Sequence, residues 1–498
     1  MFITDNTLAY NKNGSLIQFV FRNPQNRPYV VFSIIAIITQ ISIYKYFYPY
    51  ASFIMGDSYC YVGQAALNSQ IDTYPIGYPM FLRFFSAINS SDDVLVIFQY
   101  LLLQCSALGF IFTIFYFINL HKFSKVAIVV ITVLNPIFLP LANTISSDNF
   151  FLSLSLIWIT LLIWIIYLPT LKLVVFHILI LFFAFIVRYN ALFYPFITII
   201  GFLFSKEKLR IKVVGLLLGF IMIISFINYN RQKYYEFCGR KIFTPFSGWL
   251  TANNALYAYR YVPNEDHLKV PEKFKKLDDE VRIFFDTARN PIRHPENYIL
   301  AYHDYMWLER SPLHVYFLNN YRKDSTIKFN AAWSAISPLY KEYGSWLIAH
   351  YPIKFAKYVL LPNLFRWFLP PIEFLEKYNS GLSYVPETIK EWFKYKDNNV
   401  KVNIKEPNFF QYAQNLYIKL VCNINFSFFL VSISLVFFKI PQFLKPIFII
   451  LIVCYLTNLF FSVYASPIAL RFQMFPIQIS TILSFVIIDF IFKNLSIQ

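Results

Sequence analysis

The chain has 498 residues, of which 57% are hydrophobic and 14% charged, with a formal net charge of +17. Soluble domains carry about 25% charged residues, so this composition excludes an ordinary water-soluble globule and points to an all-α polytopic membrane protein. The positive charge does not read as a nucleic-acid surface, because it is divided between short basic anchors and one mixed-sign region.

The first apolar run begins near Tyr29, after a polar start, and is too long for a signal-peptide core; it reads as an uncleaved first span. Apolar stretches approaching the about 20 residues that cross a bilayer recur along the chain. Ten spans are expected, near 29–49, 93–119, 125–142, 149–169, 171–187, 189–204, 212–229, 416–438, 444–464 and 472–492. Pro136 and Pro140 interrupt the third. Five cysteines, Cys60, Cys105, Cys238, Cys422 and Cys454, form no CxxC pair and suggest neither a disulfide framework nor a zinc site.

Orientation follows from the basic residues. With the N-terminus cytoplasmic, the inside segments carry Lys12, Arg22, Arg27, Lys122, Lys125, Lys172, Lys206, Lys208, Arg210, Lys212, Lys439, Lys445 and Lys493. The short outer turns near 143–148, 188–190 and 465–471 carry only Arg188 and Arg471. Both termini are then inside, and residues 50–92 and 230–415 lie outside. The chain divides into a core of spans one to seven over 1–229, an outer domain over 230–415, and spans eight to ten over 416–498. The outer segment holds 26 of the 44 Lys+Arg and 19 of the 27 Asp+Glu, the mixed surface of a solvated domain. Its pattern is helical over 271–288, 295–310 and 330–352, with Pro271 and Pro295 suited to first helical turns. Residues 352–371 suit a helix lying on the membrane surface or re-entering it.

Candidate site residues gather on the outer side. "GDSYCYVGQAALNSQIDTYPIGYP", 56–79, places Asp57 just after the first span, at the start of a short helix, followed by a turn stiffened by Pro75 and Pro79 and a second short helix over "MFLRFFSAI". There Asp57 is either a helix cap or a carboxylate that takes a proton from an acceptor hydroxyl. Asp148, in "NTISSDNFF", is either the cap of a helix opening at Asn149 or a ligand for a divalent metal or substrate. Arg188 and Arg471 stand against the positive-inside bias, which suits a phosphate clamp, a carboxylate partner such as Asp148 for Arg188, or snorkelling to lipid headgroups. In the outer domain, Trp249, Asn253, Asn254 and Tyr257 suit either sugar recognition or ordinary packing. His303, Asp304, Glu309 and His350 match no metal-ligand spacing and read as solvated helix faces.

The first outer loop, Asp57 and Tyr61 followed by Tyr74-Pro75-Ile76-Gly77-Tyr78-Pro79, resembles the D-x-x-x-Y…Y-P-P-G-Y-P signature of GT-C membrane glycosyltransferases, in particular the bacterial dolichyl-phosphate-mannose and aminoarabinose transferase-like group. "SSDNFF" is similar to that family's S-E-x-x-F turn, "VRYNALFYP" to its T-R-P turn, and "RFQMFPIQI" to its R-Y-x-x-P-x-x-P last span. Asp148 stands for a commoner Glu, Tyr189 for a Pro, and Ile76 for a second Pro. The resemblance implies a polyprenyl-phosphate sugar donor, an inverting transfer to a glycan, lipid or protein acceptor, and Asp57 as general base. Substrate contacts are expected from Arg188, Arg471, Tyr61, Tyr78, Trp249 and Asn253, and the resemblance implies a divalent metal, Mg or Mn, in some members, for which Asp148 is the candidate ligand. The setting would be a bacterial inner membrane. A polymerase or ligase of lipid-borne glycans would share the same site. A transporter or flippase would instead place charges near mid-bilayer, and a scaffold would make Asp57→Asn silent.

Overall fold

The computed structural model describes residues 15–287, 293–294, 299–322, 328–406, 410–465 and 467–495. Among them the protein is helical without named strands. Eight helices are long and apolar enough to cross a membrane: Arg27–Phe47, Asp92–Phe117, Lys122–Asn143, Ser147–Tyr167, Leu209–Cys238, Gln411–Phe437, Lys445–Tyr464 and Leu470–Leu495. The chain is therefore a polytopic membrane protein. Two of the ten expected spans, Leu171–Val187 and Tyr189–Phe204, fall below that length.

The two shorter helices lie alongside Ser147–Tyr167 and meet it at both ends. Leu171–Val187 follows Ser147–Tyr167 after a three-residue turn, in which the Thr170 hydroxyl accepts from Leu173 N. The hairpin returns Arg188 to the level of Asp148, which it contacts. The chain then turns back through a 3₁₀ segment, and Ser205 ends beside Ile165, its hydroxyl donating to the Ile165 carbonyl at 2.6 Å. A buried column joins the three passes: Tyr194 stacks on Trp158 at 3.9 Å, and His177 bonds Thr198 at 2.9 Å.

Pro136 interrupts the third span as expected, whereas Pro140 sits in the first turn of the helix that follows the break. The helix stops at Val133 and resumes at Phe138. The Val133 carbonyl freed by this break accepts from the amides of Gln40 and Gln104, so the irregular backbone stays satisfied inside the bundle.

The outer region departs from the expected 230–415 unit. Leu209–Cys238 continues well past residue 229 and ends only at Gly239, whose φ of +70° stops the helix. The described residues of 246–360 then form a core of their own around Trp249, Tyr257, Tyr340 and Tyr343. Its two central helices, Phe246–Tyr259 and Phe329–His350, cross in close contact at glycines. A Cβ at Gly248 would meet the Ser337 carbonyl, and one at Gly344 the Thr251–Ala252 backbone. By contrast, Ile372, Val385, Ile389, Phe393 and Val400 pack into the core of the bundle. This later stretch straps the first outer loop: Asn379 N donates to Ser52 Oγ at 2.9 Å and Asn403 N to the Phe47 carbonyl at 2.9 Å. The outer region is one packed cap plus one strap, because the apolar residues of each half find different partners.

Expected helices over 271–288 and 330–352 appear as Glu272–Asp286 and Phe329–His350. Of the one expected over 295–310, residues 295–298 lie outside the described set, and the helix is limited to Asp304–Trp307. Residues Pro352–Phe368 are continuously helical, with Ile353, Leu361 and Phe365 exposed. On the other face Asn363 donates to the Val463 carbonyl and Trp367 to Tyr455. That amphipathic placement suits a helix at the membrane surface.

Gly77, in the Tyr-Pro-Ile-Gly-Tyr-Pro turn, opens the Gly77–Ile88 helix against the end of Leu171–Val187; a Cβ there would lie 2.6 Å from the Ile186–Val187 backbone. Backbone cannot swing aside as a side chain can. Gly77→Ala is therefore expected to destabilise the protein by about 1–3 kcal/mol, the usual range for overpacking. Gly109→Ala, at a helical glycine with nothing within 4 Å, should be neutral or mildly stabilising. Thermal unfolding in detergent of both variants checks the contrast.

Candidate functional site

Two outer turns are pinned side by side before any charged side chain is considered. Residues 51–54 run extended beside 143–146: Ser52 N donates to the Asn143 carbonyl at 2.8 Å, and Ile145 N to the Ser52 carbonyl at 2.9 Å. Gly56, at φ +93°, makes the sharp bend that starts the Asp57–Leu67 helix, a backbone conformation L side chains rarely adopt. Asp57 and Asp148 are thereby delivered to neighbouring helix starts.

Neither aspartate is a cap. Asp57 is the first residue of its helix and Gly56 occupies the cap position; Asp148 is the second residue of Ser147–Tyr167, behind Ser146. Both carboxylates instead meet Arg471, at the start of Leu470–Leu495. Its Nη2 lies 2.9 Å from Asp57 Oδ2 and its Nη1 3.0 Å from Asp148 Oδ2. Arg188 donates to the other oxygen of Asp148. The result is a chain of alternating charge, Asp57–Arg471–Asp148–Arg188. Phe472 lies under both guanidinium groups, with ring centroids 4.4 Å from Arg471 and 4.6 Å from Arg188.

Exposure separates the roles. The Asp148 side chain is 1% exposed and Arg471 5%, whereas Asp57 is 22% and Arg188 19%. The inner two groups neutralise and position; the outer two are reachable by a ligand. Tyr74 donates to Asp57 Oδ1 at 2.7 Å, and Tyr61 bonds Ser147 Oγ at 2.9 Å. Tyr61 lies against Tyr74 and Tyr78 at 5.1 and 5.2 Å. Tyr78 itself is fully buried and donates to Gln99, so it supports Tyr61 from behind.

All four charged residues and Tyr61 line a cavity of about 830 Å³ between the bundle and the outer cap. Trp249 and Asn253 do not line it. Trp249 is buried in the cap, stacked on Trp333 at 5.0 Å, and Asn253 is spent on the Tyr302 carbonyl and Met306 N. Their neighbours face the cavity instead: Asn254, Phe246 and Trp307. Trp307 continues the stack from Trp333 at 6.1 Å. In a helix only one side of a short motif reaches a given wall, and the sequence does not say which. Tyr257 is likewise buried, paired with Asp304.

His303 also lines the cavity and is not a solvated helix face. Its ring lies 4.1 Å from Tyr302, and its Nδ1 is 3.8 Å from Glu373 on the strap. Burial is the main cause that pushes His303 down to about 4, with Arg471 and Arg366 adding to the effect and Asp57 opposing it. The imidazole is neutral at neutral pH.

The residues present do not fit a divalent metal at Asp148. Both of its oxygens are taken by guanidinium groups, whose charge repels a dication. No group of three or more His, Cys, Asp or Glu side chains with metal-binding geometry occurs among the described residues.

No family model, curated protein or solved structure matches the chain. The chemistry of the site rests on its own geometry.

Two outcomes are expected. Arg471→Met leaves two buried or half-buried carboxylates without their shared cation, and should lower stability by about 3–5 kcal/mol, the scale for breaking a buried pair on one side; restoring neutrality with Asp148→Asn in the same chain should recover part of it. His303, lowered in the folded state from 6.5 to about 4, contributes stability that is fully present above pH 6.5 and lost as pH falls toward 4. His303→Gln should flatten that acid limb of a melting-temperature profile.

Proposed function

We propose that this chain is a membrane glycosyltransferase of GT-C type, which moves a sugar from a polyprenyl-phosphate donor to an acceptor hydroxyl at the outer face of a bacterial inner membrane. The observation that carries the reading is a reachable carboxylate, Asp57, held next to a buried cationic centre inside a large cavity that is part bundle and part outer cap.

Ten crossings suit this reading. Leu171–Val187 and Tyr189–Phe204 each travel between the ends of the Ser147–Tyr167 helix, and about 1.5 Å of rise per residue makes 17 residues enough for a thin hydrocarbon core. With those two counted, both termini fall on the side whose short connecting segments carry the Lys and Arg, and Asp57, Asp148, Arg188 and Arg471 fall on the other.

The cavity suits a lipid-borne substrate. Leu192, Phe461 and Tyr464 line it and are exposed, an apolar and aromatic surface that suits an acyl or prenyl chain whose head enters the cavity. In the transfer, the acceptor oxygen forms a bond to the anomeric carbon as the bond from that carbon to the phosphate oxygen breaks. The departing lipid phosphate keeps the electron pair, and the acceptor proton passes to Asp57. Attack from the face opposite the phosphate inverts the anomeric centre. Arg188, with its exposed edge, meets the negative charge that grows on the leaving phosphate. Arg471 acts through position: it fixes Asp57 from below while Tyr74 fixes it from the side. No metal is required of Asp148, whose part is to hold the two arginines.

The test offers purified protein and its Asp57→Asn variant a panel of polyprenyl-phosphate sugars with candidate acceptors, and reads release of the lipid phosphate. Wild-type release that falls by about 10²–10⁴-fold in the variant, the usual contribution of a general base, supports the reading. Equal release by both keeps a transferase but removes Asp57 as its base. Failure of the wild type to bind any such donor overturns the reading.

A further inference from the structure

Five cationic side chains but only two carboxylates line the cavity. Arg188 and Arg471 are balanced by Asp57 and Asp148. The remaining three, Arg231, Lys241 and Lys341, have no such balance. None of them makes an ion pair or a side-chain hydrogen bond with another described residue; Lys241 has only the face of Tyr235, at 5.4 Å. The nearest acidic residue in sequence to Lys341 is Glu342, which is taken by Lys273 at 2.5 Å. Glu236, between Arg231 and Lys241, is taken by Lys233 at 2.9 Å.

These three charges reach one cavity from three places. Arg231 comes from the extension of Leu209–Cys238 beyond the bundle, Lys241 from the link after Gly239, and Lys341 from the Phe329–His350 helix of the cap. Like charges gathered on one concave surface raise the local potential and concentrate anions. They lie in a long connecting segment, and the positive-inside bias acts through short loops, so membrane orientation does not account for them.

We propose that Arg231, Lys241 and Lys341 form a second anion subsite, which holds a phosphate or carboxylate group carried by the acceptor. The proposal rests on the glycosyltransferase reading for the word acceptor, and on the charge distribution alone for the subsite. The donor's phosphate belongs with Arg188, beside the base. The second anion belongs with the cap, which supplies Lys341 together with Trp307, an aromatic group suited to a sugar face. The acceptor is then an acidic glycan or a phosphorylated glycolipid and not a neutral one.

The experiment uses the full chain in phospholipid-free dodecyl maltoside. Glucose 6-phosphate and glucose serve as acceptor-side probes, farnesyl phosphate and farnesyl diphosphate as donor-side probes, and binding is measured by titration at two salt concentrations. The variant is Arg231→Gln/Lys241→Gln/Lys341→Gln, three exposed changes that leave the core and the inner charge chain in place. The expected result is glucose 6-phosphate binding that exceeds glucose binding, weakens with salt, and falls by about tenfold or more in the variant, the scale of lost charge-assisted contacts, while farnesyl phosphate binding is unchanged. Wild-type protein that does not prefer glucose 6-phosphate, or a variant that keeps the preference, overturns the proposal. A variant that loses only the advantage of diphosphate over monophosphate assigns the subsite to the donor and overturns the acceptor assignment. If wild-type protein binds glucose 6-phosphate but not farnesyl phosphate, the subsite stands and the transferase reading fails.

Discussion

Arg471 is the point on which the outer face of the bundle depends. It is 5% exposed and touches two carboxylates that arrive from distant parts of the chain, 323 and 414 residues away. A buried cation of this kind is tolerable only with close counter-charges. Its two partners are in turn placed by backbone contacts between 51–54 and 143–146. Remove the cation and the helix starts at Asp57 and Ser147 lose their common anchor; remove the backbone pairing and the carboxylates no longer meet. Arg188 then closes the sequence of charges and fixes the end of the Leu171–Val187 helix.

This arrangement makes a division of labour between chemically identical groups. Two aspartates and two arginines form one alternating chain, yet only the ends are open to a ligand. Environment decides the role: the inner pair is structural, the outer pair can exchange a partner for a substrate. Arg471 Nε has no hydrogen-bond partner among the described residues. It keeps a donor in reserve beside the cavity, which suits a group whose surroundings rearrange when an anion enters.

The sequence revealed the membrane class, the positions of most helices and the four charged residues, because hydropathy runs and charges that break the positive-inside bias are local signals. It failed where the answer depends on which face of a helix meets which neighbour. Trp249 and Trp307 are both aromatic and both in the cap; only packing against Trp333 shows that the first is core and the second faces the cavity. His303 looked like a surface residue because its burial comes from the strap around Glu373, some 70 residues later. The same long-range strap hid the division of the outer region, since residues 372–402 read as domain and fold as part of the bundle. Asp57 and Asp148 each have a local explanation as helix caps, which the positions of the helix starts and the arrival of Arg471 together remove.

The strap also bears on how the cavity is used. It holds the first outer loop by Asn379 and Ser380, both at positive φ, bonded to Ser52 and to the Phe53 carbonyl. It presents Phe374 to the cavity, 4.8 Å from the Arg471 guanidinium. Bundle, strap and cap thus meet around one cation, with the bundle supplying Asp148 and Arg188, the loop Asp57, the strap an aromatic face, and the cap His303. A substrate that reaches Asp57 touches the product of all four, and its head must fit a wall that is charged at the bottom, aromatic at the side and cationic at the cap. In the transferase proposed above, such a wall would discriminate among head groups while leaving the lipid tail to the bilayer, with selection of the substrate in the outer region and the chemistry in the bundle.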